Sequence, residues 1–362
     1  MDPNIQTILS RGYVTSDSLL DPYIMRPFIN SRNESVVMER TGRVILNQQG
    51  KAVPEFRQRK VYQNALLRKY EWELIDAEVL DVMRAPLVGV SDLLSGGLTK
   101  SLGDIGVSIS TYEQLSDMSP ANVSMSVTPR KGENDRVEFT PQSIPIPIIS
   151  KPFTLDMRTL TASRRGGEGL DVTQSRTATV KVREAMEDML FNGSDLIVNT
   201  FSIYGYTNHP KRLTDTAANF GGGDFATDGN GHKTLVGMIT QLKNRGVTGP
   251  FGAYVSNTQY AQLLSLTGDG DNSNTQLSVI MRTIPELKFV KSSDRLDSSV
   301  GETVVVSLTK ETVDLAIGMD VTPVSWAEYG GMVNEFRIMA ASAPRVKFDA
   351  NDPCGVAHAT AC

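Results

Sequence analysis

One stretch of this chain, Ile144–Pro210, restricts its possible folds more than any other. It opens as an apolar strand spaced by prolines, Ile144-Pro-Ile-Pro-Ile-Ile, and runs on as Lys151-Pro-Phe-Thr-Leu-Asp-Met-Arg. A glycine turn, Arg164-Arg-Gly-Gly-Glu-Gly, hands over to one long helical pattern from Asp171 to Asn192 that closes on Met186-Glu-Asp-Met-Leu-Phe-Asn-Gly. Tyr204-Gly-Tyr-Thr-Asn-His-Pro then opens a new region. Along the helix, Ala178, Val182, Ala185, Met186 and Met189 recur at spacings of three and four, which lays them on one face. Lys181, Glu184, Glu187 and Asp188 occupy much of the remainder as a charged face. Asp171 or Thr173 can cap its start, and Gly193 suits the left-handed position after its end. At 1.5 Å per residue the helix spans roughly 33 Å, enough to cross a domain. Nothing in the stretch looks like a catalytic site, so it points to an architectural protein.

Upstream, residues 1 to about 60 are polar with short apolar pieces, and read as an extended arm. From Gln63 to Arg84 the pattern is helical: Ile75, Val79, Val82 and Met83 share a face and Pro86 ends it. Between Gly106 and Ser150 the period becomes two, the mark of strands with one covered face. Segments 121–130 and 135–142 flank the polar Lys131-Gly-Glu-Asn and predict a long β-hairpin with its tip at Lys131–Asp135. Such a hairpin is marginal alone in water, so it needs a partner surface, for which another subunit is a candidate.

Beyond Gly205 the pattern mixes α and β. Helices are expected at Thr234–Arg245, followed by Gly246, and at Thr258–Leu266. Strands are expected at Phe251–Ser256, Leu287–Val290, Thr303–Leu308 and Val313–Ile317. Two more, Val333–Ala341 and Pro344–Phe348, are separated at Pro344. The fold class is therefore α+β.

Composition narrows function. The net charge, 36 − 41 = −5, speaks against a dedicated nucleic-acid binder. The start of the chain lacks the features of a signal peptide, and no apolar run approaches the roughly 18 residues of a membrane span. Two cysteines, Cys354 and Cys362, are too few for a disulfide scaffold and read as free thiols on a tail. Gly268-Asp-Gly-Asp-Asn-Ser-Asn imitates a calcium loop, but counting from Asp269 puts Asn274 where glycine belongs and Ile280 where glutamate belongs. The runs at Gly221 and Arg165 lack a phosphate-binding pattern and read as turns. Glu187 and Asp188 point about 100° apart on a helix, so they cannot serve one substrate as a pair. His209 stands before Pro210 with no second ligand nearby. Lys131 or Lys151 could in principle join Asn334 or Asn351 in an isopeptide bond with Glu335 as base, though solvated lysines are the simpler reading. No catalytic residue, metal site or cofactor is expected.

The joint order of these elements resembles the Hong Kong 97-type major capsid proteins of tailed phages, and most of all their encapsulin-like branch. The residues that carry the resemblance are Lys151-Pro-Phe-Thr-Leu, Glu187-Asp-Met-Leu-Phe-Asn-Gly, Tyr204-Gly-Tyr-Thr-Asn, Val313-Asp-Leu-Ala-Ile-Gly-Met-Asp, and Phe336-Arg-Ile through Ala343-Pro-Arg-Val, within roughly residues 63–349. The resemblance implies an N-terminal arm (1–62), a P-domain N-terminal helix region (63–104), an extended hairpin or E-loop (105–145), and a P-domain with its spine helix (146–204). An A-domain (205–330) and returning P-domain strands with a C-terminal tail (331–362) would follow. It implies assembly as pentamers and hexamers into an icosahedral shell around double-stranded DNA, without sequence-specific contacts and without a membrane. Such a virion capsid is built in the host bacterial cytoplasm with a scaffolding protein, a portal and a decoration or cement protein. Inter-subunit packing would then use Val123, Met125, Val127, Val137 and Phe139 of the hairpin, with Lys131, Glu133, Asp135 and Arg136 pairing with a neighbour's charges. Asp269, Asp271 and Asn272 would lie in a pore-proximal loop. The alternative within the fold is an encapsulin-type compartment around protein cargo; outside it, a soluble metal- or nucleotide-binding enzyme.

Overall fold

The computed structural model describes residues 28–29, 35–46, 52–60, 74–75, 77–79, 88–103, 105–116, 118, 136–156, 158, 173–198, 201–266, 274–328, 333–348 and 354–362. These fall into two compact units. The first comprises residues 1–85, 150–182 and 321–340; the second comprises 86–149, 183–320 and 341–362.

In the first unit, β1 (Phe28–Ile29), β2 (Ser35–Leu46) and β3 (Ala52–Lys60) form an antiparallel sheet with β2 in the middle. The ladder runs from Val36↔Lys60 to Leu46↔Ala52, with a bulge between Arg40 and Val44. The sequence reading of residues 1–60 as an extended arm foresaw no strands here: Val36-Val37 and Val44-Ile45 are strong strand formers, but they come in clusters rather than in alternation. Of the expected helix before Pro86, residues 74–75 and 77–79 are helical, with Ile75 and Val79 buried one turn apart. Glu78 lies 3.4 Å from Arg176, and Phe153 stacks on Phe336 with centroids 5.2 Å apart.

The second unit begins with α1 (Gly89–Ser95), β4 (Thr99–Ser101), β5 (Ile109–Leu115) and β6 (Phe139–Pro145). β7 (Ile148–Asp156) and the long helix α2 (Thr173–Asn192) belong to both units in turn, α2 passing from the first to the second after Val182. There follow β8 (Ser194–Val198), β9 (Phe201–Ile203), β10 (Leu213–Thr216), α3 (Asn230–Asn244), β11 (Phe251–Ser256), α4 (Asn257–Leu263), α5 (Gln276–Thr283), β12 (Leu287–Ser293) and β13 (Thr303–Ser307). The last strands are β14 (Val313–Glu328), β15 (Val333–Val346) and β16 (Val356–Thr360).

A five-stranded mixed sheet, ordered β10-β16-β13-β11-β12, holds the main core. Every residue of β11 and β13 is buried, as expected for central strands covered on both faces. α3 contributes Leu235, Met238, Ile239 and Leu242 to that core, the i, i+3, i+4, i+7 set that makes a helix amphipathic. It packs so closely that a Cβ at Gly237 would stand 1.7 Å from the Phe220 carbonyl oxygen. Gly246 follows the helix at φ +82°, the left-handed stop its position predicted. β4-β14-β15-β7 form a four-stranded sheet.

Four sequence expectations need correction here. β6 pairs with β5, from Ile109↔Pro145 to Leu115↔Phe139, so the predicted first hairpin strand, 121–130, lies between the two paired strands. β14 continues to Glu328, past the predicted end at Ile317. β15 is one strand through Pro344, because a proline removes one backbone donor without obliging an extended chain to turn. β16, taken for part of a tail, lies inside the five-stranded sheet, parallel to β10 and antiparallel to β13. Cys354 and Cys362, at its two ends, are buried, and burial pushes their thiols up to about 12 and about 11.

Candidate assembly surfaces

The last carbonyl groups of an α-helix have no partners within it and must find them elsewhere. At the end of α2 the segment Gly205–Asn208 supplies them. The Tyr206 N–H donates to the Leu190 carbonyl at 3.0 Å, the Thr207 N–H and hydroxyl donate to Phe191, and Asn208 Nδ2 donates to the Asn192 carbonyl at 2.6 Å. Asn208 Oδ1 in turn accepts the Gly205 N–H at 2.7 Å. The approach demands glycines: a Cβ on Gly193 would stand 2.5 Å from the Ile203 carbonyl oxygen, and one on Gly205 would stand 2.4 Å from that of Phe191. Gly193 also has φ +73°, the left-handed geometry expected of it. Phe191, Tyr206 and Tyr254 form an aromatic cluster behind this turn.

The charged face expected on α2 is divided by the structure. Lys181 and Asp188 are exposed and Glu184 is half-buried, but Glu187 turns inward. Its two carboxylate oxygens accept the N–H groups of Gly89 (2.7 Å) and Val90 (3.0 Å) at the start of α1. Burial raises the Glu187 pKa; the backbone N–H groups pull against that rise. Glu187 is thus a clasp on α1 rather than part of an outer face. From α1, Asp92 accepts the Tyr254 hydroxyl at 3.1 Å and pairs with Lys291 at 2.5 Å, which ties the helix to β11 and β12.

A second buried network stands at the foot of the β5/β6 hairpin. Arg345 on β15 meets Asp314 on β14 through two parallel contacts, Nε–Oδ1 at 2.6 Å and Nη2–Oδ2 at 2.5 Å. Its third arm, Nη1, donates to the Ser110 hydroxyl of β5 at 3.0 Å. Lys347 Nζ is 2.8 Å from Asp314 Oδ2. The planar guanidinium fits this fork, and a lysine could not replace it. Asp314 and Arg345 lie within the two C-terminal motifs that carry the family resemblance; the sequence offered no sign that they meet.

Above this anchor the hairpin presents little that could hold itself. Phe139 is 61% exposed, Arg136 is exposed and Val137 half-buried. Val123, Met125, Val127, Lys131, Glu133 and Asp135 lie outside the described residues, as do Asp269, Asp271, Asn272 and Asn351. The segment containing Asp269 is flanked by a bridge between Leu266 and Thr275. Lys151 is exposed and Asn334 buried, while Glu335 pairs with Arg337 at 3.5 Å. A further apolar surface, unforeseen from the sequence, is Leu196 and Ile197 on β8, the latter 67% exposed. The signal available was the apolar Leu-Ile-Val following Gly193-Ser-Asp, short enough to read as linker. Among the described residues no three metal-binding side chains come together, and no helix is long and apolar enough to cross a membrane.

An extended hairpin, a strand leading to a long helix, and a separate mixed sheet entered after that helix together define a Hong Kong 97-like capsid fold of the encapsulin-like branch. The virus-like particle of Pyrococcus furiosus shares it at a TM-score of 0.57 and 15% identity, over 80% of this chain and 99% of that one. The capsid of Myoviridae Phage XM1 does so at 0.57 and 15%, over 76% and 93%. In sequence the chain is 29% identical to the type 1 encapsulin shell protein EncA of Myxococcus xanthus, over 78% of this chain and 90% of that protein. It is 26% identical to a diheme-cytochrome-encapsulin shell fusion protein of Kuenenia stuttgartiensis, over 55% of this chain and 51% of that protein. The chain belongs to the DUF6260 family, a family of unknown function, whose model covers residues 63–359.

Proposed function

We propose that this chain is a shell subunit that acts by assembly rather than by catalysis, its copies joining as pentamers and hexamers into a closed icosahedral shell. The observation that carries this reading is the β5/β6 hairpin: two strands anchored by a buried ion pair at the foot and exposing Phe139 near the far end. Two strands that pair with no third among the described residues do not bury enough surface to be stable in water, so a neighbouring copy completes them. Shell affinity then comes from many modest, repeated contacts rather than from one strong contact.

For the contents, 29% identity to EncA along 90% of that protein supports protein cargo in an encapsulin-type compartment. The second reading is the virion capsid of a tailed phage, with double-stranded DNA, a portal and a scaffolding protein. The strands between Phe28 and Lys60, ahead of the family region, favour it. Expression of the full chain, followed by negative-stain imaging and by nuclease-protected nucleic acid content, separates the two. Shells containing protein support the compartment, and shells protecting DNA support the virion. A monodisperse monomer, with or without a scaffolding partner, overturns both.

A further inference from the structure

Within the second unit, three parts of the chain converge on a cleft of about 280 Å³. They are the foot of the hairpin, the turn after α2 and the end of β15. Tyr112, Phe201, Tyr204, His209 and Phe348 give it aromatic walls, and none of its lining residues is an aspartate, glutamate, lysine or arginine. The imidazole of His209 meets the Tyr204 and Phe348 rings edge to face, each with centroids 5.5 Å apart. Burial, helped by Arg212, holds His209 down at about 4, and burial lifts the Tyr112 hydroxyl to about 12, so both are uncharged at neutral pH.

The polarity of the cleft is set by one hydrogen bond. His209 Nδ1 accepts the Lys211 N–H at 3.2 Å, which assigns the ring proton to Nε2. No acceptor among the described residues meets that Nε2–H. A charged guest would lose its hydration here with no charged side chain in the lining to replace it, whereas a flat ring gains the faces and edges of several aromatics. The volume lies just below the range of roughly 300–1,000 Å³ usual for ligand pockets, and suits a single small ring system.

We propose that this cleft is a binding site for a small, neutral, planar aromatic molecule whose carbonyl-type acceptor takes the His209 Nε2–H. The site is independent of what the shell encloses.

The test titrates the assembled full-length protein with benzamide, benzoate and cyclohexanecarboxamide, followed by ligand-detected NMR and by the nitrogen resonances of His209. Benzamide is expected to bind saturably, at least about tenfold more tightly than the anion or the saturated amide, and to shift Nε2. Tyr204→Ala removes an exposed ring that makes no side-chain hydrogen bond among the described residues; it is expected to weaken benzamide by at least about fivefold. Ser202→Trp, which fills the cleft, is expected to abolish binding. Equal binding of the three compounds, or unchanged binding to Tyr204→Ala, overturns the proposal. So does benzamide binding that occurs with dissociated subunits but is lost on assembly, because that outcome gives the cleft to a neighbouring copy.

Discussion

The five-stranded sheet and the β5/β6 hairpin lie in the same unit but are held by opposite means. The sheet owns its core: β11 and β13 are covered on both faces, and α3 closes over it with four apolar side chains. The hairpin is tied to β14 and β15 by a charged contact, Ser110 to Arg345 to Asp314, beside a small apolar cluster in which Ile144 meets Ala316, Ala341 and Ala343. Apolar burial is non-directional and tolerant, whereas a buried ion pair is exact about geometry and harsh when one partner is lost. One region is held by apolar burial within its own layers; the other is placed by a directional polar contact at its foot.

Four experiments break or sharpen this contrast. The largest effect is expected from deleting residues 356–362, which removes a strand from the interior of the sheet; circular dichroism and solubility should show no folded second unit. A soluble, cooperatively melting product would refute the account of the sheet. Next comes Asp314→Ala, which leaves Arg345 buried without its partner and should cost about 3–5 kcal/mol in denaturant unfolding. The double change Asp314→Leu with Arg345→Met should recover most of that loss, and failure to do so would mean that the pair stabilises beyond its own desolvation.

A smaller effect follows from His209, which lies between the two regions. In the folded chain its pKa is about 4, against an ordinary value of 6.5. Between those values the unfolded chain takes up a proton that the folded chain refuses, so stability falls as pH drops from about 6.5 to 4, by about 3 kcal/mol at the lower end. His209→Phe should flatten this slope; an unchanged slope in the variant would assign it to another group. Smallest for the subunit is Phe139→Ser, expected to move its unfolding by no more than about 0.5 kcal/mol, as for most exposed sites. Its effect should appear in shell yield by sedimentation. Normal shell formation would remove Phe139 from the contact surface.

What the sequence revealed follows the same division. Phe251–Ser256 and the α3 stripe were legible because local pattern and tertiary role agree there. Gly193 and Gly246 were legible because a left-handed stop leaves a residue-specific mark. The partner of β6 was not, since Ile109–Leu115 lies farther back in sequence than the polar Lys131-Gly-Glu-Asn suggested, and alternation alone does not set a register. Glu187 looked like its neighbour Asp188, and only the arrival of α1, far away in sequence, turns one inward and leaves the other outside. The Asp314–Arg345 fork and the Gly205–Asn208 cap were present as motifs, yet no spacing rule joins residues brought together by folding. Assembly surfaces are harder still, because an exposed phenylalanine has the same sequence signature whether a neighbour covers it or water does.

The position of β16 has a consequence for the order of events during synthesis. Its neighbours β10 and β13 leave the ribosome well before Val356–Thr360 are made, so the sheet waits with an open slot between its edge strand β10 and β13. A growing chain cannot present a finished subunit until that late strand has emerged and slipped between the two older ones. The main core of the second unit therefore closes only when Val356–Thr360 pairs with strands made far earlier in the chain.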